Sequence, residues 1–201
     1  MSTISYGKRH LYLAGFMGTG KSAVGNLVAR KLQRIFYDLD DVVVDMTNRS
    51  VDQIFRVEGE TAFRQYEAKA LRSIVVSAGA VIALGGGAPT IPVVADIMRQ
   101  TGRTVLLTAD WPAIWRRIKD DGSRPLVSPV TGDSGPESPE RFERFVAHAD
   151  LIWQSRLSLF HAVADWTIDT SELACEEVAD QIVTWWQTSV VSHAFRVPES
   201  L

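Results

Sequence analysis

The residues with the most evident chemistry form a glycine-rich segment near the beginning of the chain. Positions 15–22 read Gly-Phe-Met-Gly-Thr-Gly-Lys-Ser and fit the pattern GxxxxGK[S/T] in full. In such a loop the glycines let backbone N–H groups face a phosphate, the lysine reaches the β- and γ-phosphate oxygens, and the hydroxyl ligates magnesium. We therefore predict a nucleotide-phosphate site with contacts from Gly18, Thr19, Gly20, Lys21, Ser22 and Ala23.

Two aspartates follow the short apolar segment at residues 35–37. Many proteins with such a loop hold magnesium with an aspartate at the end of a later strand, but the apolar segment 81–84 is followed by three glycines. Asp38 is expected beside the phosphate loop, where it would hold magnesium directly or through water. Asp40 would orient an attacking hydroxyl and could deprotonate it. The alternative that Asp40 only caps a helix beginning near Asp41 stays open.

The predicted strands and helices determine where these groups lie. Short apolar segments predict strands near residues 11–14, 35–37, 81–84, 104–107 and 166–168. Helical spacing predicts helices near residues 22–32, 42–47, 51–78, 93–100, 111–119, 142–163 and 172–186, with a break at Gly59. This alternation predicts a three-layer α/β fold, in which a parallel sheet of about five strands lies between helices and binds ligands at the carboxyl ends of its strands.

The chain has the length and composition of one compact domain. Its 201 residues are 46% hydrophobic and 22% charged, the usual balance of a globular protein. We predict a single domain over residues 1–201, with a core at about 10–187 and a loose tail at 188–201. The segment 128–141 is rich in Pro, Gly, Ser and acidic residues, which favours a mobile lid at about 121–148.

Charge and cysteine content narrow the possible partners and compartments. The net charge is −3, without long runs of one sign, which argues against a nucleic-acid or membrane surface and leaves local arginines to meet anionic ligands. The single cysteine, Cys175, rules out an internal disulfide framework and a cysteine-rich metal site. Residues 1–10 are polar and no apolar run approaches the roughly 20 residues of a membrane span, so we expect a cytoplasmic protein.

Five motifs in a fixed order give the chain a resemblance to a known family. They are the phosphate loop, Asp38-Leu39-Asp40, Phe63-Arg64, Gly85-Gly86-Gly87 and Arg124-Pro125-Leu126. Over about residues 11–187 this ordered set resembles shikimate kinase. The resemblance implies a nucleoside monophosphate kinase fold, a monomer, ATP and shikimate as small-molecule substrates, and Mg²⁺ as the metal. The implied reaction is transfer of the γ-phosphoryl group of ATP to the 3-hydroxyl of shikimate, in aromatic amino-acid biosynthesis.

The resemblance also implies a role for each matching residue on the acceptor side. Asp40 would contact the hydroxyl groups of shikimate, while Arg64 and Arg156 would bind its carboxylate, which planar guanidinium donors suit. Taken without the resemblance, Arg64 would also fit a surface ion pair with Glu60 or Glu67 on the same helix face.

The glycine turn and two further arginines complete the implied site. Gly85, Gly86 and Gly87 would let the ring of the acceptor approach the backbone. Arg124 would be a lid arginine that neutralises charge on the transferred phosphoryl group, and Arg117 would pack on adenine. For Arg124 a solvated loop position is the alternative. Lys21, Asp40 and Arg124 would then be the catalytic residues.

Two departures from the family pattern bear on the identity of the acceptor. The interval between Arg124 and Arg156 is longer than expected for the family, and Ala88-Pro89 stands where Ala-Val is more usual. These differences leave open a related kinase that phosphorylates another small hydroxy acid or polyol. A binding protein without catalysis is a third hypothesis, which the presence of Lys21 and Asp40 disfavours.

Overall fold

The structure is a computed structural model that describes residues 9–77, 79–119 and 138–194. The strands are β1 (His10–Gly15), β2 (Phe36–Asp38), β3 (Val81–Ala83), β4 (Gly102–Thr108) and β5 (Trp166–Asp169). The helices are α1 (Lys21–Leu32), α2 (Leu39–Thr47), α3 (Val51–Ile74), α4 (Pro92–Thr101), α5 (Trp111–Ile118), α6 (Pro139–Val163) and α7 (Cys175–Ala194). A short 3-10 helix, Ala88–Thr90, lies between β3 and α4.

The sheet is parallel throughout and is covered by helices on both faces. Its strands pair in the order β2-β3-β1-β4-β5. Along the buried central strand, Leu11 and Leu13 pack with α1 and α7, whereas Tyr12 and Ala14 pack with α2, α3, α4 and α6. Because both faces of the strand are buried, it has to be apolar at every position. The predicted three-layer fold is confirmed.

The strand register brings the predicted site residues to one edge of the sheet. Asp38 of β2 lies level with Ala83 of β3, which in turn lies level with Leu13 of β1. The phosphate loop, the glycine turn and α2 therefore leave the sheet beside one another. The chain then crosses over β1 to form β4 on its other side, and a reversal of strand order of this kind opens a crevice at the carboxyl ends of the strands.

Helix α3 bends at the glycine where the sequence predicts a break. Gly59 has φ 81° and ψ 174°, a backbone conformation that glycine adopts readily and other residues do not. The helix starts at a capping box in which Ser50 and Gln53 bond to each other's backbone N–H groups. The part of α3 after the bend carries Arg64.

Helix α6 begins earlier than predicted and takes up part of the expected lid. The Ser138 hydroxyl accepts a hydrogen bond from a backbone N–H of the first turn, and Pro139 occupies the first helical position. Both are start signals, which the Pro- and Ser-rich composition of the segment hides. Residues 139–148 are thus helical, and Phe145 is buried against α5. The rest of the expected lid, residues 121–137, lies outside the described residues.

Two other predicted boundaries differ from the structure. Helix α3 ends at Ile74, where the prediction was 78. Helix α7 extends to Ala194, so residues 188–194, which the sequence places in a loose tail, are helical. No glycine or proline occurs between Cys175 and Pro198, so the sequence contains no residue that would stop the helix. None of the described helices combines the length and the apolar character needed to cross a membrane.

Candidate active site

The phosphate loop connects β1 to α1 and depends on left-handed backbone at its glycines. Gly18 and Gly20 have φ values of 77° and 93°, a region that side chains disfavour. Gly15 has φ 148° and lies so close to the Leu107 carbonyl oxygen that a Cβ atom would overlap with it. The conformation predicted from the glycine pattern is therefore built into the packing of β1 against β4.

Lys21 closes the loop from the first turn of α1. Its Nζ donates hydrogen bonds to the carbonyl oxygens of Gly15 at 3.0 Å and Phe16 at 2.9 Å. The ammonium group is thereby held across the loop, on the side where α1 begins. Positive charge here adds to the partial positive charge of the helix N-terminus, and together they favour a bound phosphate.

Ser22 and Asp38 meet beside the loop, as the placement of Asp38 at the end of β2 predicts. The Ser22 hydroxyl donates to Asp38 Oδ2 at 2.5 Å, and Asp38 Oδ1 accepts the backbone N–H of Asp40 at 3.1 Å. Asp38 is thus the cap of α2, while Asp40 lies in the first turn of that helix. The capping role considered for Asp40 therefore belongs to Asp38. Asp38 caps α2 with Oδ1 and binds the Ser22 hydroxyl with Oδ2.

Asp40 and Glu67 place two carboxylates around Gly85. A Cβ atom on Gly85 would lie 2.6 Å from Asp40 Oδ1 and would overlap with Glu67 Oε1. Glu67 is fully buried, and Oε1 has no hydrogen-bond partner among the described residues. The pKa of Glu67 is raised to about 7, chiefly by burial and to a smaller extent by nearby Asp40, while the Arg64 cation opposes the rise.

Arg64 lies between two glutamates of its own helix. Nη1 donates to Glu67 Oε2 at 2.5 Å, while Nε and Nη2 donate to Glu60 Oε1 at 3.2 and 2.7 Å. The guanidinium carbon would be only 2.6 Å from a Cβ atom on Gly87. The spacing of α3 allows Arg64 to pair with Glu60 or with Glu67, and in the structure it pairs with both. Its guanidinium group nevertheless lies against the glycine turn.

The three glycines of the turn have different tasks. Gly85 and Gly87 leave room for the protein's own Glu67, Asp40 and Arg64 side chains. Gly86 faces the cavity, and the nearest atom to a Cβ placed there is the Met17 backbone nitrogen at 3.8 Å. The expected approach of a ligand ring to backbone thus concerns Gly86 first.

Arg156, on α6, reaches the site through Glu60. Its Nη2 lies 3.6 Å from Glu60 Oε1, the same oxygen that Arg64 binds. Burial and the nearby Arg64 cation lower the pKa of Arg156. Two guanidinium groups from different helices therefore face one carboxylate oxygen.

Arg117 joins the phosphate loop to the end of β5. Its Nη1 donates to the Gly18 carbonyl oxygen and to the Thr170 hydroxyl, each at 3.1 Å, and its Nη2 donates to the Thr170 carbonyl oxygen at 2.6 Å. The buried Thr170 hydroxyl can donate in turn to the Thr19 carbonyl oxygen at 3.1 Å. These bonds hold the Arg117 guanidinium group against the phosphate loop.

Two cavities open at this edge of the sheet and share Lys21 and Ser22. The first, of about 400 Å³, is lined by loop and α1 residues together with Arg117, Thr170 and Cys175, and we call it the nucleotide cavity after the ligand expected from the sequence. The second, of about 320 Å³, we call the acceptor cavity for the same reason; its wall contains Asp38, Asp40, Arg64, Gly86 and Gly87 beside the apolar Val51, Phe55, Phe63 and Leu84. Both have the size of sites for small molecules.

Most of the predicted site residues are brought together by this arrangement. Gly85 and Arg156 are not among the residues that line the acceptor cavity, and Arg124 lies outside the described residues. Glu67 and Thr170 are site residues that were not predicted from the sequence. Glu67 follows Arg64 by three residues on α3, and Thr170 directly follows β5, so spacing and strand ends were the available signals.

The fold and the loop define a class of protein. A five-stranded parallel sheet in the order β2-β3-β1-β4-β5, with a phosphate loop after its central strand, is the architecture of P-loop kinases. A gluconokinase from Sinorhizobium meliloti shares this fold, with a TM-score of 0.60 at 14% identity over 94% of this chain and 98% of that one.

Comparison with known sequences then identifies the family. The family model described as shikimate kinase matches residues 17–187. The shikimate kinase of Geobacter sulfurreducens is 38% identical over 88% of this chain and 90% of its own length, and that of Syntrophus aciditrophicus is 34% identical over 90% and 92%. The structure of shikimate kinase from Acinetobacter baumannii in complex with shikimate has a TM-score of 0.78 at 28% identity, covering 90% and 94%. The chain belongs to the shikimate kinase family, a family of ATP-dependent kinases, and the resemblance is confirmed.

Proposed function

We propose that the protein transfers the γ-phosphoryl group of ATP to the 3-hydroxyl of shikimate, giving shikimate 3-phosphate and ADP. One observation carries this proposal. A carboxylate suited to hydroxyl groups, Asp40, and a guanidinium group suited to a carboxylate, Arg64, line the same cavity as Lys21 of the phosphate loop. A hydroxy acid bound there would present a hydroxyl group next to the phosphate that the loop holds.

The residues of the site divide the chemical work. Lys21 and the N-terminus of α1 would stabilise the charge of the transferred group, and the backbone N–H groups of the loop would hold the phosphates. Asp40 would accept a hydrogen bond from the attacking hydroxyl and orient it, and would take its proton as the new bond to phosphorus forms. Arg64 would fix the far end of the acceptor, which determines which hydroxyl faces the phosphate.

Mg²⁺ is the metal we propose for this site. Ser22 Oγ and Asp38 Oδ2 are hard oxygen donors lying 2.5 Å apart beside the loop, and such donors suit a cation that keeps most of its ligands as water and phosphate oxygens. Within the described part of the chain no group of three or more acidic, His or Cys side chains could hold a metal. Bound there, Mg²⁺ would neutralise charge on the phosphates.

The position of Ala88-Pro89 weakens the alternative of a different hydroxy acid or polyol. Both residues are buried at the start of the 3-10 helix, and neither lines the acceptor cavity. The departure from the family pattern thus concerns the support of the glycine turn more than its surface. We also propose a monomeric cytoplasmic enzyme that binds small molecules and neither nucleic acid nor membranes. The net charge of −3, without long runs of one sign, and the family resemblance support this proposal.

ADP release coupled to a spectrophotometric readout tests this function. We expect shikimate-dependent turnover of ATP, and we expect gluconate and quinate to be poor acceptors. Asp40→Asn should lower kcat by about 10²-fold or more, because the positioned base is lost. Arg64→Ala should raise the KM for shikimate by about tenfold or more, because a charged hydrogen bond to the acceptor is lost.

Matched controls exist on the same helices. Asp45→Asn on α2 and Arg56→Ala on α3 make the same changes at exposed positions and should leave turnover within about twofold. Full turnover of another acid with shikimate inert would reject shikimate as the acceptor. Full activity in both Asp40→Asn and Arg64→Ala would reject the assignment of the site.

A further inference from the structure

We propose that Glu60 is an internal competitor of the acceptor for Arg64 and Arg156, and that the acceptor's carboxylate displaces it on binding. This rests on the proposed function, since it assumes that these two arginines receive a carboxylate. Glu60 already supplies a carboxylate to both arginines. Its Oε1 takes two N–H donors of Arg64 and lies 3.6 Å from Nη2 of Arg156.

The electrostatics of the arginine pair explain why a carboxylate is needed there. The Arg64 and Arg156 side chains are only 15% and 18% exposed, and the Arg64 cation contributes to the lowered pKa of Arg156. Two partly buried cations that repel each other are held together by an anion between them. Glu60 supplies this anion from the protein itself, at the two arginines to which the family resemblance assigns the carboxylate of the ligand.

The two glutamates that bind Arg64 differ in whether they can leave. Glu67 is fully buried beneath Gly85, so its removal from Arg64 would leave a buried cation without its partner. The Glu60 side chain is 46% exposed, so water can solvate its carboxylate when it turns away. Glu67 is therefore the permanent partner and Glu60 the exchangeable one.

Displacement also gives Arg156 access to the acceptor. Arg156 does not line the acceptor cavity. Among the described contacts, the Glu60 carboxylate is what links Arg156 to Arg64. A carboxylate that replaces Glu60 at Nε and Nη2 of Arg64 would stand within reach of both guanidinium groups. The assigned role of Arg156 is then compatible with its absence from the residues that line the cavity.

An internal competitor makes the site selective among anions. A small anion offers the arginines little more than Glu60 does, so it binds weakly. An acceptor that also hydrogen-bonds to Asp40 and to the backbone at Gly86 has additional contacts with which to compensate the displacement. Glu60 is thus a specificity residue that discriminates against simple anions, although it does not react.

The test compares wild type with Glu60→Gln, which keeps the shape and removes the charge. We expect the KM for shikimate to fall by about two- to fivefold, the range for a half-exposed ion pair, with kcat within about twofold. We expect the dissociation constant of inorganic sulfate, measured by titration calorimetry, to fall by a similar factor. Glu60→Asp, which keeps the charge but shortens its reach to Arg156, should give a smaller gain, and it serves as the test if Glu60→Gln does not fold.

Asp52→Asn is the matched control, because Asp52 forms an exposed pair with Arg56 in the first turn of α3. It should change neither constant. A higher or unchanged KM for shikimate in Glu60→Gln, with unchanged sulfate binding, would overturn the proposal by showing that Glu60 supports Arg64 without competing. Tighter sulfate binding in a protein that does not phosphorylate shikimate would instead retain the competition and reject the proposed acceptor.

Discussion

The nucleotide cavity and the acceptor cavity share Lys21 and Ser22 but are built in opposite ways. The nucleotide side is mostly backbone: left-handed glycines, carbonyl oxygens that bind Lys21 and Arg117, and the N-terminus of α1. The acceptor side depends instead on charged side chains from several elements, which pair with one another around the glycine turn, beside apolar residues of the cavity wall.

This difference decides how each half responds to change. A backbone site is fixed by local sequence and stays formed when one neighbour is altered, since its donors belong to the loop itself. A site of mutually compensating charges is coupled, because removing one member leaves another unpaired in a partly buried place. Changes on the nucleotide side should therefore leave acceptor binding nearly unchanged, whereas a change that disturbs the paired charges around Gly85 should affect both stability and acceptor binding.

The largest expected effect tests whether Lys21 belongs to catalysis more than to binding. Lys21→Ala should lower kcat by about 10²- to 10³-fold, because charge stabilisation of the transferred group is lost. Shikimate binding, measured by calorimetry without nucleotide, should weaken by less than about threefold. An equal loss in acceptor affinity would mean that the two halves of the site are one electrostatic unit.

A pair of glycine substitutions tests the coupling on the acceptor side. In Gly85→Ala the new methyl group would overlap with Glu67 and come within 2.6 Å of Asp40 Oδ1. We expect about 1–3 kcal/mol of lost stability together with a KM for shikimate raised about tenfold. Gly86→Ala, whose Cβ meets nothing closer than 3.8 Å, should keep its stability and change only the KM. Thermal unfolding and steady-state kinetics on both variants provide the comparison, and equal stability of the two would contradict it.

The pH dependence of stability tests the buried carboxylate. The pKa of Glu67 is about 7 in the folded protein and near 4.5 when unfolded, so the folded state binds the proton more tightly. The contribution of this group to stability is therefore complete below about pH 4.5 and is lost as the pH rises to about 7. Relative to Glu67→Gln, wild type should lose unfolding free energy between pH 5 and 8 in urea titrations. A difference between the two that is constant over this range would refute the raised pKa.

The features predicted from the sequence are those that local residues determine, and most of them lie on the nucleotide side. The phosphate loop, Asp38 at the end of β2 and the break at Gly59 are local features, because spacing and glycine chemistry suffice to predict them. The packing of α3 against the glycine turn, which is not local, determines two other features. Arg64 binds both glutamates, and Gly85 and Gly87 make room for side chains of the protein. The extension of α7 was missed because an absence of stop residues gives no positive signal.

The smallest expected effect concerns Thr170, which supports the nucleotide side from the end of β5. Thr170→Val keeps the shape but removes a hydroxyl that accepts from Arg117 and can donate to the Thr19 carbonyl oxygen. Such a bond contributes about 1 kcal/mol, so the KM for ATP should rise by no more than about fivefold, while the KM for shikimate stays constant. Thr184→Val, an exposed position on α7 whose hydroxyl bonds only to its own helix among the described contacts, is the control. If the KM for shikimate rose with that for ATP, the backbone site would be coupled to the charge network after all, and the contrast between the two cavities would fail.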